Sequence, residues 1–165
     1  AAIAAQGKRW KEHLIGSGGK EVMFLKIADL DDDGLKDVIC TNRNGHMEWF
    51  RRLEGGGVRW EAHTFKLPFG LPHGKSVAVG DIDLDGKVDV VSTSRGSEPA
   101  RCVAWQKWAK SPTDRNWLHQ DIGGTEGSKF DLVELIDLDA DGDLDVITCE
   151  EVANLGLVWY ENPLR

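Results

Sequence analysis

Three short segments place carboxylates at the spacing of a cation-binding loop. The pattern Asp-x-Asp-x-Asp-Gly-x-x-Asp occurs with Asp29, Asp31, Asp33 and Asp37, with Asp81, Asp83, Asp85 and Asp89, and with Asp137, Asp139, Asp141 and Asp145. Carboxylates at positions 1, 3, 5 and 9 suit a hard cation that takes 6–8 oxygen ligands, so the expected ion is Ca²⁺, three per chain. Gly34, Gly86 and Gly142 at position 6 permit a sharp turn, which would aim the backbone carbonyl of position 7 (Leu35, Lys87, Asp143) at the ion. Asp32 and the side chain of Asp143 are additional carboxylates, expected in water or behind the ligands. An EF-hand loop would need a Glu at position 12, and Cys40, Ser92 and Thr148 stand there instead. Each loop saturates its ion without leaving an open coordination position, so the expected role is structural rather than catalytic.

Positions where the three segments' surroundings differ are candidates for binding. Six residues beyond the last Asp of each loop stand Arg43, Arg95 and Glu151, with His46 close by and His73 and Lys75 leading into the second loop's preceding strand. Trp108 lies in a loop-like insertion, Gln106 to Pro112, and is the expected exposed tryptophan. These seven residues could line a ligand site; most loop charges are simply solvated. No Ser/His/Asp, Cys/His or phosphate-cradling arrangement is present, so an enzyme is less expected than a binding module.

The loops recur with periods of 52 and 56 residues, counted from Asp29, Asp81 and Asp137, and such spacing marks an array. An apolar strand precedes each loop (Val22 to Ala28, Val77 to Gly80, Leu132 to Ile136), and a β-branched run follows it (Val38-Ile39, Val90-Val91, Val146-Ile147). A third strand carries Trp49, Trp105 or Trp159. A fourth carries Trp60 or Trp117, and its third copy stands at the other end of the chain, around Trp10. Six of the seven tryptophans are therefore repeat positions, expected to pack in the core. Helical periodicity is absent. Four strands per unit is the make-up of a propeller blade, so the fold class is all-β, a β-propeller of three blades. The boundaries are a single repeat domain over 1–165, with a displaced outer strand at 9–15, blade 1 at 20–67, blade 2 at 73–122 and blade 3, lacking its outer strand, at 128–162.

The loops and their flanking strands resemble FG-GAP or VCBS-type repeats, the calcium-loop blades of integrin alpha subunits and propeller lectins. The resemblance spans residues 9 to 163 and implies that the three Asp sets each hold one calcium ion. It also implies a binding module, lectin-like toward carbohydrate, or alternatively half of a sugar dehydratase or polysaccharide lyase, or a protein-binding scaffold. In the enzyme alternative His46, His73, Arg43 and Arg95 would be the acid-base candidates. Three blades are too few to close a ring, since propellers use about 4–8. Two chains joined head to tail would give six blades, each N-terminal strand completing the partner's last blade and covering its edge. A cut from a longer propeller would show the same ends.

Composition agrees with this reading. The formal charge is −8, yet half of the 28 Asp and Glu residues lie in the three loops, and three divalent ions would bring the total to −2. No basic footprint for nucleic acid is present. Cys40, Cys102 and Cys149 cannot all pair within one chain, and Cys40 and Cys149 sit in apolar runs where inert buried thiols are expected. No apolar stretch is long enough to span a membrane, and no signal peptide is recognisable. Loops of this kind fill reliably at millimolar calcium, so the expected location is extracytoplasmic or secreted.

Overall fold

The computed structural model describes residues 9–97 and 99–165. They form eleven strands: β1 (Val22–Ala28), β2 (Asp37–Asn42), β3 (His46–Arg52), β4 (Trp60–Lys66), β5 (His73–Gly80), β6 (Asp89–Arg95), β7 (Val103–Lys107), β8 (Leu118–Asp121), β9 (Phe130–Ile136), β10 (Asp145–Glu150) and β11 (Gly156–Tyr160). They build three antiparallel meanders, β1-β2-β3-β4, β5-β6-β7-β8 and β9-β10-β11. The only helical piece among the described residues is a 3₁₀ turn at Pro68–Gly70, and no helix is long and apolar enough to cross a membrane. The architecture is all-β and blade-like. Among the described residues the third blade has three strands, with β11 at its edge.

The first strands of the blades stand side by side, β5 packing between β1 and β9. This explains the burial pattern. The middle blade is covered on both faces, and in β6 every residue from Asp89 to Ser94 is buried. The shared core joins Ile39, Trp49, Val77, Val90, Val91, Val103, Phe130 and Val133. Each such aliphatic side chain contributes about 1.5–3 kcal/mol on burial. The flanking blades each leave an apolar face open: Leu25 and Ile27 in blade 1 are 53% and 61% exposed, and Leu157 in blade 3 is 86% exposed.

Two glycines set how closely the blades approach. A Cβ on Gly74 would lie 2.5 Å from Thr41 Cβ and 2.9 Å from the Asn42 carbonyl oxygen of blade 1. A Cβ on Gly80, at the other end of β5, would lie 2.7 Å from Leu144 of blade 3. Each blade also carries an irregularity in the pairing of its first two strands: between Val22 and Leu25, between Gly74 and Val77, and between Thr148 and Glu150. Such bulges re-aim side chains. Lys75 lies in one of them and is turned inward.

The repeat tryptophans correct a uniform expectation of burial. Trp49 is fully buried and stacks on His63 at 4.7 Å, whereas Trp159 is 44% exposed and Trp10 is 90% exposed. Trp49 is covered by the outer strand β4, whereas β11, which carries Trp159, has no such neighbour. Residues 9–15 carry no regular secondary structure and pair with no strand among the described residues. The same open side leaves Cys149 half-buried, while Cys40 and Cys102 are buried; all three thiols are free.

Glu150 organises the β10–β11 connection, which sequence inspection did not single out. It is 3% exposed. Its Oε1 accepts hydrogen bonds from the amides of Ser128, Lys129, Val152 and Ala153 at 3.0–3.2 Å, and Oε2 accepts one from Leu155 at 3.4 Å. Burial alone would push this carboxyl up, but the amides outweigh it and hold it down at about 2, against an ordinary 4.5. A lowered carboxylate stabilises the fold above the unfolded value, and that stability is lost as pH falls through the folded one. Glu150→Gln is therefore expected to unfold at lower urea than wild type at pH 7. The gap should shrink as pH falls from about 4.5 toward about 2; a gap constant with pH would refute the assignment.

Candidate metal centres

The β1–β2, β5–β6 and β9–β10 turns fold alike because each Asp at position 1 accepts from its own loop. Asp29 takes the amides of Asp33 (3.1 Å) and Gly34 (2.8 Å), Asp81 those of Asp85 (3.0 Å) and Gly86 (2.8 Å), and Asp137 those of Asp141 and Gly142 (both 3.1 Å). The position-5 carboxylate then accepts the amide of position 7 at 2.9–3.1 Å. The position-6 glycines are left-handed, with φ of 84°, 84° and 94°. Position 4 is left-handed as well, at Asp32 (59°), Leu84 (56°) and Ala140 (66°). That conformation costs a non-glycine residue about 1–2 kcal/mol, and only the carboxylate–amide bonds around it explain its recurrence. Nothing in the residue types at position 4 signals it.

This wrapping brings one oxygen from each of positions 1, 3 and 5 together. Asp29, Asp31 and Asp33, then Asp81, Asp83 and Asp85, then Asp137, Asp139 and Asp141 each offer ligand oxygens within 4.8 Å of one another. All donors are hard oxygens, as Ca²⁺ requires. Asp31 Oδ1 and Asp83 Oδ1 are buried without a hydrogen-bond partner, a state that costs energy unless something charged or polar meets them. Residues and geometry therefore fit a divalent cation.

Asp37, Asp89 and Asp145, at position 9, stand outside these triplets and are 0–1% exposed. Asp37 accepts from the amides of Leu30 (3.2 Å) and Arg52 (2.8 Å) and from the Trp49 indole N–H (2.9 Å), tying loop, third strand and exit together. Asp145 accepts the equivalent amides of Leu138 (3.1 Å) and Asn162 (2.9 Å). Despite burial, these amides keep its carboxyl below the usual range. Asp89 accepts only the Ile82 amide, at 3.2 Å. The Trp105 indole approaches it without reaching hydrogen-bond geometry. Burial accordingly pushes Asp89 up to about 6.

Residues 29–92 match the family model of the FG-GAP-like repeat. The match runs from the first Asp of loop 1 through β2–β5 and loop 2 into β6, so the FG-GAP-like segment contains two of the three carboxylate triplets. No curated protein matches the chain.

The other polar candidates gather elsewhere. Arg43, His46, His73, Arg95 and Glu151 lie at the β2–β3 turn, the start of β5 and the ends of β6 and β10, the opposite end of the blades from the Asp loops. His73 Nδ1 meets the Arg43 carbonyl oxygen at 2.9 Å, and Arg43 pairs with Glu21 at 3.5 Å. Glu151 pairs with Lys129. Lys75 is buried and spends its charge on Asp131, 2.8 Å away, bridging β5 to β9. Among these only His73 and Arg95 share a cavity, of about 370 Å³ with Pro72, Gly96 and Ser97. Trp108 lies at the loop end instead, half-buried, with Lys87 Nζ 4.6 Å from its ring centroid, and is not the free aromatic expected. None of the four acid-base candidates stands beside an Asp triplet.

Proposed function

We propose that this protein is a calcium-stabilised propeller-type binding module that recognises carbohydrate. The support for calcium is the threefold oxygen geometry together with the FG-GAP-like match. The observation that carries the carbohydrate reading is a cleft of about 840 Å³ between the outer strands of blades 1 and 2. Phe65 and Trp117 meet across it with ring centroids 5.1 Å apart, and Phe69 meets His119 edge-on at 5.1 Å. Arg115, Asn116 and Gln106 add hydrogen-bonding groups. Flat apolar faces beside a few polar groups suit a sugar ring, which has an apolar face and a hydroxyl rim. A glycan array run in millimolar calcium is expected to give specific hits that Trp117→Ala abolishes. A blank array from folded protein would remove the carbohydrate reading and leave a protein-binding scaffold. Loops of this kind fill reliably at millimolar calcium, which supports a working environment outside the cytosol.

The same proposal includes assembly. The β11 edge, the exposed Leu157 and Trp159 beside it, and the unpaired segment around Trp10 and Leu14 complement one another in kind. A second copy laying Arg9–Ile15 along β11 would complete blade 3 and cover the open face of blade 1, giving six blades. Size exclusion with light scattering is expected to give twice the 18.3 kDa chain mass in calcium. A monomer at all concentrations would refute ring closure by two copies.

A further inference from the structure

The position two beyond the repeat tryptophan is basic in blades 1 and 2, as Arg51 and Lys107, and acidic in blade 3, as Glu161. On β3 the Arg51 guanidinium pairs with Asp31 and lies 3.1 Å from Asp33. On β7 the Lys107 ammonium pairs with Asp83 and lies 3.0 Å from Asp85. These are the position-3 and position-5 carboxylates that a bound cation would use. Blade 3 has an acid at the register-equivalent site. Its loop adds Asp143, which is 2% exposed, has no hydrogen-bond partner on either carboxylate oxygen, and sits in the field of Asp139, Asp141 and Asp145. The Arg165 guanidinium lies 3.5 Å from the Asp141 carbonyl oxygen of this loop, and the Arg165 amide approaches the Asp143 carboxylate without reaching hydrogen-bond geometry.

We propose that the three loops are graded in affinity: the third is the tight cation site, and the first two are weaker because each holds a basic side chain that an incoming ion must displace. The inference rests on the calcium reading above. Taking the triplet, the position-7 side chain and the strand residue together, the formal charge is minus two in loop 1 and minus one in loop 2. It is minus five in loop 3. Oxygen-ligand loops tune their affinity largely through ligand charge and rigidity. In loops 1 and 2 the cation must also break an existing ion pair. Arg51 and Lys107 thus act as resident counter-ions that keep the first two loops folded at low calcium. Blade 3 has no such substitute on its strand and depends on the metal.

Equilibrium dialysis of the chelator-stripped full chain against radioactive calcium reads the three sites directly. The expected isotherm has one site at least about tenfold tighter than the other two. Lys107→Gln is expected to tighten one weak site about tenfold, and Glu161→Lys to weaken the tight one by a similar factor. The first variant gains affinity, so its result does not hinge on a loss of fold. Three equal sites in wild type, or a Lys107→Gln isotherm identical to wild type, would overturn the grading alone. No uptake at any loop would remove the calcium reading and the grading with it.

Discussion

Excess chelator is expected to lower the thermal midpoint of this protein by about 15 °C or more, and added calcium to restore it. A ligand held at a hundred times its dissociation constant stabilises the folded state by about 2.7 kcal/mol per site. In a chain of this size each kcal/mol moves the midpoint by about 2–4 °C. Three filled sites therefore account for the shift even before repulsion within the triplets is counted. Asp29, Asp31 and Asp33 converge within 4.8 Å, as do their counterparts in the other loops, and a cation turns that repulsion into cross-linking. A midpoint indifferent to chelator and calcium, followed by circular dichroism, would show that the loops work as hydrogen-bonded turns alone.

The second large effect separates the two kinds of aspartate in one loop. Asp37→Ala is expected to cost about 4 kcal/mol, because it strands the Leu30 and Arg52 amides and the Trp49 indole N–H in a fully buried site. That cost should be nearly the same in calcium and in chelator. Asp31→Ala is expected to be costly in calcium only; in chelator it removes a partly exposed pair with Arg51, worth about 1 kcal/mol or less. Urea denaturation of both variants in both conditions decides the matter. If the Asp37→Ala cost disappears in chelator, position 9 acts through the ion and not through its amide and indole donors.

The blade arrangement was legible in the sequence because it is periodic. Loop, strand and tryptophan recur in fixed order, and the strands of the three sheets fall where that order puts them. The division of labour inside each loop was not legible, since position 9 looks like any other carboxylate until Trp49 and Arg52 are seen folding back onto it. Glu150 escaped notice for the same reason: its five amide donors come from residues on both sides of β10. The inward turn of Lys75 is not legible either, since it takes the bulge at Gly74–Val77 to bring it to Asp131. The left-handed residue at position 4 has no signature, since Asp32, Leu84 and Ala140 share no chemistry. Each miss concerns a partner chosen by three-dimensional packing, whereas each success concerns spacing along the chain.

Gly74 and Gly80 let β5 sit close to the blade on either side. Each omits a methyl group where β5 touches a neighbour, one against Thr41 and Asn42, the other against Leu144. Side-chain volume at these two points limits how near one blade can come to the next, and in an array of like units any small change in that spacing is repeated at every step. Like units adding head to tail return to their start only at the right increment; at any other they climb past it and keep growing. At both points a hydrogen atom stands where a methyl group would not fit, so the spacing of adjacent blades leaves no room for even the smallest added side chain.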